Sequence, residues 1–364
     1  MKLKTKSLAE LCKMYQPKTL SKKQLKADGK YSVYGANGII GKYDKYNHEE
    51  AQLLITCRGA TCGSINISEP FSWINGNAMV IQPNKSEILR EYLEYLFKGP
   101  INLSKITTGA AQPQITRETL NPILISYPSL IEQRRIVDKI NSVFAEIDEL
   151  IKITNDVSKN IKILLQNFLK KIFLEGKKDW VISEIKDLCD ALFAGGDVQK
   201  KNLSKFKTDK FNIPIFTNGE KNKGLYGFTD KARVFKPSIT VSARGTIGYT
   251  ELRTEPFFPA IRLIVITPNT NIVQIGFLKH AIKTINFFDT GSSIPQLTVP
   301  KIKELKIKFP VSKDAQKKIV LTLDNLTFKI DEMLNILKVK IENYLQLKQS
   351  ILKQELSEKL KQAS

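Results

Sequence analysis

Motifs from the first half of the chain return in the second half, in the same order and at an offset of roughly 182 to 186 residues. The paired motifs are Arg58-Gly59-Ala60-Thr61 and Arg244-Gly245-Thr246, Gly109 to Thr116 and Gly291 to Thr298, and Pro128 with Gln133 and Pro310 with Gln316. Each copy is longer than one unit of a solenoid, so the sequence predicts two related modules and not a stacked array. The duplication therefore sets the architecture.

A long predicted helix follows each module. Apolar residues recur at alternating steps of three and four from about Ser129 to Ile172 and again after Ser312, as in a coiled-coil seam. The first predicted seam is Val137, Ile140, Phe144, Ile147, Ile151, Thr154, Ser158, Ile161, Leu165, Phe168 and Ile172. The second is Ile319, Leu323, Leu326, Ile330, Met333, Leu337, Lys340, Tyr344, Leu347 and Ile351. Gly176 stands where the first helix should end.

These helices are too long to be buried in a globular domain of this size, since about 44 residues at about 1.5 Å each extend for about 65 Å. Each helix therefore needs a partner. Because each one leads out of a module, we expect the two helices to pair antiparallel within the chain, with a module at either end. Heptads do not say whose helix is the partner, and pairing with a second chain remains the alternative.

Between the helices the pattern changes to short strand-like runs separated by Gly, Pro and Asn. The clearest runs are Ala51 to Thr56, Met79 to Gln82, Ser238 to Ser242 and Arg262 to Thr267. The predicted fold class is α+β, with two homologous mixed α/β modules joined by two long helices that form an antiparallel coiled coil with pseudo-two-fold symmetry. The expected domains are module 1–127, spacer helix 128–176, module 177–309 and C-terminal spacer helix 310–364.

Net charge is the main compositional clue to a partner. Lys and Arg number 57 against 36 Asp and Glu, a formal charge of +21, and such an excess favours capture of polyanions, most plausibly nucleic acid. Lysine-rich surfaces also follow from genome composition, so charge alone leaves the question open. No uncharged apolar run reaches the roughly 18 residues of a membrane span. We therefore expect a cytoplasmic protein without a membrane partner.

The sequence offers no set of residues for catalysis, metal binding or a cofactor. The four cysteines form no Cys-x-x-Cys pair, and the only histidines, His48 and His280, lie at non-matching places in the two copies. Cys12 and Cys189 do occupy matching places, which favours buried positions on a helix. No Ser-His-Asp set, paired zinc ligands or glycine-rich methyl-donor loop can be assembled. We expect a non-catalytic protein with no cofactor.

The stretch from Gly35 to Lys42 is rich in glycine but does not match a phosphate-binding loop. Five residues separate Gly35 from Gly41, and Tyr43 stands where that motif needs Ser or Thr. We interpret the stretch as a turn that presents polar groups either to solvent or to DNA. The candidate DNA contacts of this stretch and of its second copy are Asn37, Lys42, Tyr43, Asn218 and Lys223.

Two further motifs supply candidate DNA contacts. An arginine in a tight turn after a strand can donate a fork of hydrogen bonds to guanine or phosphate, a threonine can bind phosphate, and a glutamine can pair with adenine. The turn candidates are Arg58, Thr61, Arg244 and Thr246, and the glutamine candidates are Gln112, Gln114 and Gln296. Equally, the arginines can close their own modules through carbonyl groups, and the Pro-Gln pairs can be structural turns.

This arrangement resembles the specificity subunits of type I restriction-modification systems. The resemblance rests on the Arg-Gly turns, on Gly109 to Thr116 with Gly291 to Thr298, and above all on Pro128 to Val137, which reads Pro-Ser-Leu-Ile-Glu-Gln-Arg-Arg-Ile-Val. The second copy departs from that last run and keeps its glutamine as Gln316. Ile294 replaces the first glutamine of the Gln-Pro-Gln motif. The resemblance covers nearly the whole chain.

The resemblance implies a non-catalytic subunit with two target recognition domains, each reading one half of a bipartite, asymmetric site on double-stranded DNA. It implies that the coiled coil sets the spacing between the halves. Two methyltransferase subunits would dock on the chain to methylate adenine, and restriction and translocase subunits would join for cleavage. A specificity subunit of a type IIB-like system and a coiled-coil interaction protein with no DNA role remain alternatives.

Overall fold

A computed structural model describes residues 3–35, 37–109, 113–176, 179–198, 202–285, 287 and 296–361. The chain divides into two compact units. Unit 1 comprises Met1–Thr154 together with Lys338–Ser364, and unit 2 comprises Asn155–Leu337. Each unit therefore contains one module and a part of each long helix.

The first module is built from short strands and short helices. The strands are β1 (Lys4–Ser7), β2 (Cys12–Tyr15), β3 (Tyr31–Gly35), β4 (Gly38–Tyr43), β5 (Leu53–Thr56), β6 (Ile65–Ile67), β7 (Trp73–Ile74), β8 (Ala78–Pro83) and β9 (Leu124–Tyr127). The helices are α1 (Leu8–Leu11), α2 (Arg90–Lys98) and α3 (Arg117–Leu120), followed by the long helix α4 (Leu130–Lys170).

The second module is likewise built from short strands and short helices. Its strands are β10 (Val181–Glu184), β11 (Cys189–Ala194), β12 (Ile213–Phe216), β13 (Leu225–Thr229), β14 (Ser238–Val241), β15 (Thr250–Arg253), β16 (Phe258–Pro259), β17 (Ile264–Pro268) and β18 (Lys306–Phe309). Its helices are α5 (Ile275–Lys283) and α6 (Val299–Lys303), followed by the long helix α7 (Lys313–Lys361).

The two modules share one sheet topology. In the first, a four-stranded sheet has the order β2-β8-β5-β6, a three-stranded sheet has the order β4-β3-β7, and β1 pairs with β9. In the second, the orders β11-β17-β14-β15 and β13-β12-β16, with β10 paired to β18, repeat this arrangement strand for strand. Even the parallel pairs, β3 with β7 and β12 with β16, correspond. The predicted pair of homologous mixed α/β modules is confirmed.

The central strands are buried on both faces. Leu53 and Ile55 of β5 pack into the larger core of unit 1, while Leu54 between them packs into a smaller core, as the two-residue period of a strand requires. In unit 2, Ile266 of β17 faces the larger core and Val265 the smaller one. Strands buried on both faces need continuous apolar runs, and the four strands predicted from such runs are confirmed to within two residues.

Both long helices are confirmed. α4 begins within one residue of the predicted start and α7 begins directly after Ser312. After α4 the chain forms a π-helical stretch, Lys171–Glu175, and Gly176 follows it at a φ of 53°. Glycine adopts this left-handed conformation without a Cβ clash, so it ends the helical segment as predicted.

Within unit 1, the start of α4 lies beside the end of α7. Lys139 Nζ is 2.6 Å from Glu355 Oε1, and Lys348 Nζ is 2.6 Å from Asp148 Oδ1. The partner numbers fall along one helix as they rise along the other, so the two segments run antiparallel. The core of unit 1 includes Ile136, Val137 and Ile140 from α4 and Leu352 and Leu356 from α7. In this unit, the partner of each helix comes from the same chain.

The predicted seam is wrong at four positions. The side chains of Phe168, Met333 and Leu347 are 41%, 50% and 46% exposed, and Lys340 is also exposed. The residue that follows each of them is buried or half-buried, namely Leu169, Leu334, Ile341 and Lys348. Met333 and Leu334 are both apolar, so periodicity fits either phase of the heptad. The phase is chosen by what each helix packs against.

Cys12 and Cys189 are not on helices, contrary to the prediction. Each is the first residue of a strand, β2 or β11, and follows one short helical turn. The turn ends there because the next residues pair with β8 or β17. Burial raises the pKa of both thiols to about 12. Among the helices of the described ranges, none has both the length and the apolar character that a membrane span requires.

Candidate DNA interface

In unit 1 the Arg-Gly turn connects β5 to β6. The amide of Gly63 donates to the carbonyl of Thr56 at 2.9 Å, and the amide of Cys62 donates to that of Gly59 at 3.0 Å. Gly59 and Gly63 have φ angles of 91° and 88°, which glycine adopts without strain. The predicted tight turn is confirmed, and it leaves the side chain of Arg58 exposed.

The backbone of the Pro-Gln motif pairs with this turn. Arg58 and Gln114 form a β-bridge, the amide of Gly59 donates to the carbonyl of Pro113 at 3.2 Å, and the amide of Ile115 donates to that of Cys57 at 2.9 Å. Two motifs that lie far apart in sequence therefore meet. Arg58 and Gln114 line one cleft of about 430 Å³, so an arginine and a glutamine share this cleft. Gln112 lies outside the described residues.

The glycine-rich stretch is a β-hairpin of β3 and β4. A phosphate-binding loop would lead into a helix, whereas this stretch leads into a strand. Asn37 lies at the turn, where its Oδ1 accepts a hydrogen bond from the hydroxyl of Thr61. Lys42 and Tyr43 are not turn residues, contrary to the prediction, because both lie in β4 and pair with residues of β3. Tyr43 packs edge-on against Trp73 at 5.4 Å between ring centroids.

In unit 2 the corresponding arginine and glutamine are bonded to each other. Arg244 Nη2 donates to Gln296 Oε1 at 3.0 Å, and Arg262 Nη1 approaches the same oxygen at 3.4 Å. The backbone contact between the motifs also recurs, since the amide of Leu297 donates to the carbonyl of Ala243 at 3.1 Å. Arg244 and Thr246 are exposed. In the described part of the chain, no hydrogen bond from the Nε2 amide of Gln296 is found.

Asn218 and Lys223 differ in how far they are engaged. Asn218 Oδ1 accepts from the amide of Ala243 at 2.7 Å, and its Nδ2 donates to the carbonyl of Ile261 at 3.0 Å. Its side chain therefore holds the Arg-Gly turn in place. Lys223 has a φ of 52°, and its carbonyl accepts from the buried guanidinium of Arg253 at 2.5 Å. The ammonium of Lys223 stays exposed, 4.0 Å from a carboxylate oxygen of Glu251.

Gln133 and Gln316, to which no function was assigned from the sequence, are fully buried. Gln133 Oε1 accepts from the amide of Leu89 at 2.8 Å, and its Nε2 donates to the carbonyls of Glu87 and Pro128, both at 2.9 Å. Gln316 makes the same three bonds to Gln274, Ile272 and Pro310, at 2.6, 3.3 and 2.8 Å. Each glutamine ties the start of a long helix to the start of α2 or α5. The presence of this glutamine in both copies is the sequence feature from which its structural role could have been predicted.

The two histidines each belong to a small polar cluster, His280 with Asp324 and Lys279 and His48 with Tyr15 and Asn47. In the described part of the chain, no group of three or more His, Cys, Asp and Glu side chains could hold a metal ion. His280 Nε2 lies 2.7 Å from Asp324 Oδ1, and burial lowers the pKa of this histidine. His48 Nε2 lies 2.7 Å from the hydroxyl of Tyr15, and burial lowers its pKa as well.

The chain matches the family model of the type I restriction modification DNA specificity domain over residues 2–159 and again over residues 177–343. The chain belongs to this family. The specificity subunit is the DNA-recognition component of a type I system and not its catalytic part. Neither the type IIB-like alternative nor the interaction protein without a DNA role is favoured.

Relatives of the whole chain agree with this assignment. The chain is 26% identical over 335 residues to a protein of Mycoplasma pneumoniae named as a type I specificity subunit, and the match covers 90% of each chain. A second such protein of that organism is 28% identical over 298 residues, covering 79% of this chain and 88% of the other. A solved structure concerned with complex assembly and conformational transition of the type I R-M system has a TM-score of 0.73 at 15% identity, covering 98% and 97% of the two chains. That structure supports the fold.

Proposed function

We propose that each module of this specificity subunit reads one half of a bipartite, asymmetric site on double-stranded DNA. The observation that carries the proposal is the pair of equivalent Arg-Gly turns, each of which sets an exposed arginine beside a glutamine. Arg58 lies with Gln114 and Arg244 with Gln296. Arginine matches the acceptors of guanine and glutamine matches adenine, so each turn carries groups suited to the major groove.

The two halves of the site should differ because the two turns differ. In unit 1, Asn37 accepts a hydrogen bond from Thr61 beside the turn. In unit 2, Asn218 is bonded to main-chain groups, and Arg262 joins Arg244 at the oxygen of Gln296. The same fold therefore presents different donors and acceptors. The remaining candidates, Lys42, Tyr43, Thr246 and Lys223, supply phosphate or base contacts around these turns.

The long helices would act as a spacer between the half-sites. α4 has 41 residues and α7 has 49, which correspond to about 62 Å and about 74 Å of helix. The antiparallel ion pairs in unit 1, at Lys139 and Lys348, support an intramolecular coiled coil. Continued along both helices, such a coil would hold the two half-sites at a fixed separation.

Partner subunits would supply the chemistry. Two methyltransferase subunits would dock on the chain and methylate one adenine on each strand, and restriction and translocase subunits would join them for cleavage. Membership of the type I family supports this assembly. The chain itself would choose the site.

Mapping methylation tests the proposal. The chain is co-expressed with its methyltransferase subunit, and adenine methylation is mapped on a randomised DNA library. We expect one motif with two different halves and an unread gap. Arg58→Ala should relax one or two positions in one half, and Arg244→Ala should do so in the other half, at about 1 to 3 kcal/mol per base pair.

Arg134→Ala is the matched control, because Arg134 is an exposed arginine on α4 and its loss changes the charge equally. This variant should leave both halves of the motif unchanged. Methylation without sequence preference, or a motif that does not divide into two halves, would contradict the proposal.

A further inference from the structure

Each unit has a cleft where its Arg-Gly turn meets the end of a long helix. In unit 1 a cleft of about 1070 Å³ lies between Gly63, the end of α2 and the last turns of α7. In unit 2 a cleft of about 530 Å³ lies between Gly248, the end of α5 and the last turn of α4. The two clefts thus occupy the same place in two modules whose sequences otherwise differ widely.

Equivalent residues line the two clefts. Lys98 is the last residue of α2 and Lys283 is the last residue of α5. The long helices contribute Lys353 to the first cleft and Lys170 to the second. These two lysines are 183 positions apart, as Gln133 and Gln316 are (353 − 170 and 316 − 133), so they are equivalent positions of the two helices. Each cleft therefore takes its helical lysine from the helix that follows the other module.

The walls of the clefts are held close by the backbone. Gly63 and Gly248 have φ angles of 88° and 83°, and a Cβ at Gly248 would stand only 2.5 Å from the ring of Phe287. At Gly99, which follows α2, a Cβ would stand 2.9 Å from that of Leu352. The lysine on α7, Lys353, follows Leu352 directly and is therefore held beside the end of α2.

The charge of the clefts favours an anion. The lining of the first cleft includes Lys98 and Lys353 and no acidic side chain, and that of the second includes Lys170 and Lys283 with one acid, Glu220. Lys98 already lies 2.6 Å from Glu94. Among the described residues, no ion pair within 4.0 Å involves Lys353, Lys170 or Lys283. Burial lowers the pKa of Lys283, and an anion beside this amine would raise that pKa again.

We propose that each cleft binds a phosphate of the DNA backbone next to the half-site read by that module, with Lys353 and Lys170 as the helical contacts. The inference rests on the proposed function and deepens it. Thr246 lines the second cleft, and Cys62, which follows Thr61 in the sequence, lines the first. Phosphate contacts fix the register of a protein on DNA without reading its sequence. Each module would thus be positioned on DNA by the helix of the other copy.

The test compares Lys353→Gln, Lys170→Gln and the double variant with Lys329→Gln and Lys159→Gln, which remove equal charge from exposed positions on the same helices. DNA binding by the full chain with its methyltransferase subunit is measured between 50 and 200 mM salt. Loss of two phosphate contacts should lower the slope of log K against log salt by about 1.8, so wild type loses about 12-fold more affinity than the double variant over this range. The controls should match wild type.

Phosphate ethylation interference locates each contact. Lys353→Gln should abolish interference beside one half-site only, the one altered by Arg58→Ala, and Lys170→Gln should do so beside the other, while the methylated motif stays the same. Salt slopes equal to those of the controls would overturn the inference, as would loss of methyltransferase binding with unchanged interference, which would make the clefts protein contacts. If wild type itself shows no bipartite motif, the proposed function fails instead.

Discussion

At the scale of single residues, the buried glutamines at the start of α4 and α7 show how one side chain can secure a whole element. Gln133 and Gln316 each form hydrogen bonds with one main-chain amide and two main-chain carbonyls. A carboxamide is required, because the site needs one acceptor and two donors on the same planar group. Glutamate would set a carboxylate oxygen against two carbonyls.

We expect Gln133→Ala to destabilise the junction of α4 with its module by about 1 to 3 kcal/mol, since it leaves buried polar groups without partners. Gln133→Glu should cost at least as much. Faster hydrogen exchange in α2, with α5 unchanged, is the measurement that isolates the effect in a protein of two units. Gln349→Ala, at an exposed position of α7, is the control. Equal exchange in Gln133→Ala and the control would contradict the assigned role.

A second pair of equivalent residues differs between the units in a way that makes the stability of unit 2 depend on pH. Tyr95 donates a hydrogen bond to Asn141 in unit 1, and the equivalent residues in unit 2 are His280 and Asp324. Burial lowers the pKa of His280, and the hydrogen bond that its Nε2 donates to Asp324 only partly opposes this effect. The folded state therefore binds fewer protons than the unfolded chain near the ordinary histidine pKa of 6.5. Stability is lost as the pH falls through that value.

We therefore expect α5 to lose up to about 1.4 kcal/mol of protection between pH 7.5 and pH 5.5, since one pH unit below the ordinary pKa corresponds to about 1.4 kcal/mol. The double variant His280→Tyr/Asp324→Asn, which reproduces the pair of unit 1, should abolish most of this loss. Hydrogen exchange of the amides of α5 measures it separately from His48 in unit 1. The same pH dependence in the double variant would show that another group is responsible.

At the scale of elements, the end of α7 packs against the first module as a core helix. Leu352 and Leu356 are 1% exposed and belong to the core of unit 1. Leu347, only five residues earlier, is 46% exposed. Five residues rotate the side chain by about 140° around the helix axis, so Leu347 lies on a different face from Leu352 and Leu356.

We expect Leu352→Ala to lower the stability of unit 1 by about 2 to 4 kcal/mol, because it removes a buried side chain and leaves a cavity. Leu347→Ala should cost less than about 1 kcal/mol, although both changes remove the same atoms from the same helix. Thermal unfolding, followed with hydrogen exchange in α2, distinguishes the two variants. Equal destabilisation by the two variants would show that Leu347 is packed in the helix seam, as the periodicity predicted.

At the scale of the whole molecule, the helices set the reading distance if they form the proposed spacer. Seven residues inserted after Ile153 and seven after Leu337 would extend each helix by about 10.5 Å. At about 3.4 Å per base pair, this corresponds to roughly three base pairs. We expect the unread gap to lengthen while each half of the motif stays the same, as measured by methylation of a randomised library.

Insertion into one helix alone serves as the control, because it mismatches the two partners and should reduce activity without producing a longer gap. An unchanged gap in an active complex with both insertions would show that the helices do not set the spacing. A changed half-site would show that they also take part in reading bases.

Features that depend on local patterns could be predicted from the sequence. Two-residue and heptad periodicity are local, so the buried strands, both long helices and the stop at Gly176 followed from it. The turn beside Arg58 could be predicted for the same reason, from the two glycines Gly59 and Gly63. Recurrence within the chain gave the two modules, because one topology requires the same turns and the same buried positions twice.

Features that depend on which distant segments meet became visible in the folded chain alone. The heptad phase at Met333 and Leu334 was ambiguous because both residues are apolar, and packing chose the second. The pairing of Arg58 with Gln114, the buried role of Gln133 and the supply of Lys353 to the cleft of the first module each join residues far apart in sequence. A local sequence pattern does not predict such contacts, because residues distant in sequence come together only when the chain folds and the intervening loops close.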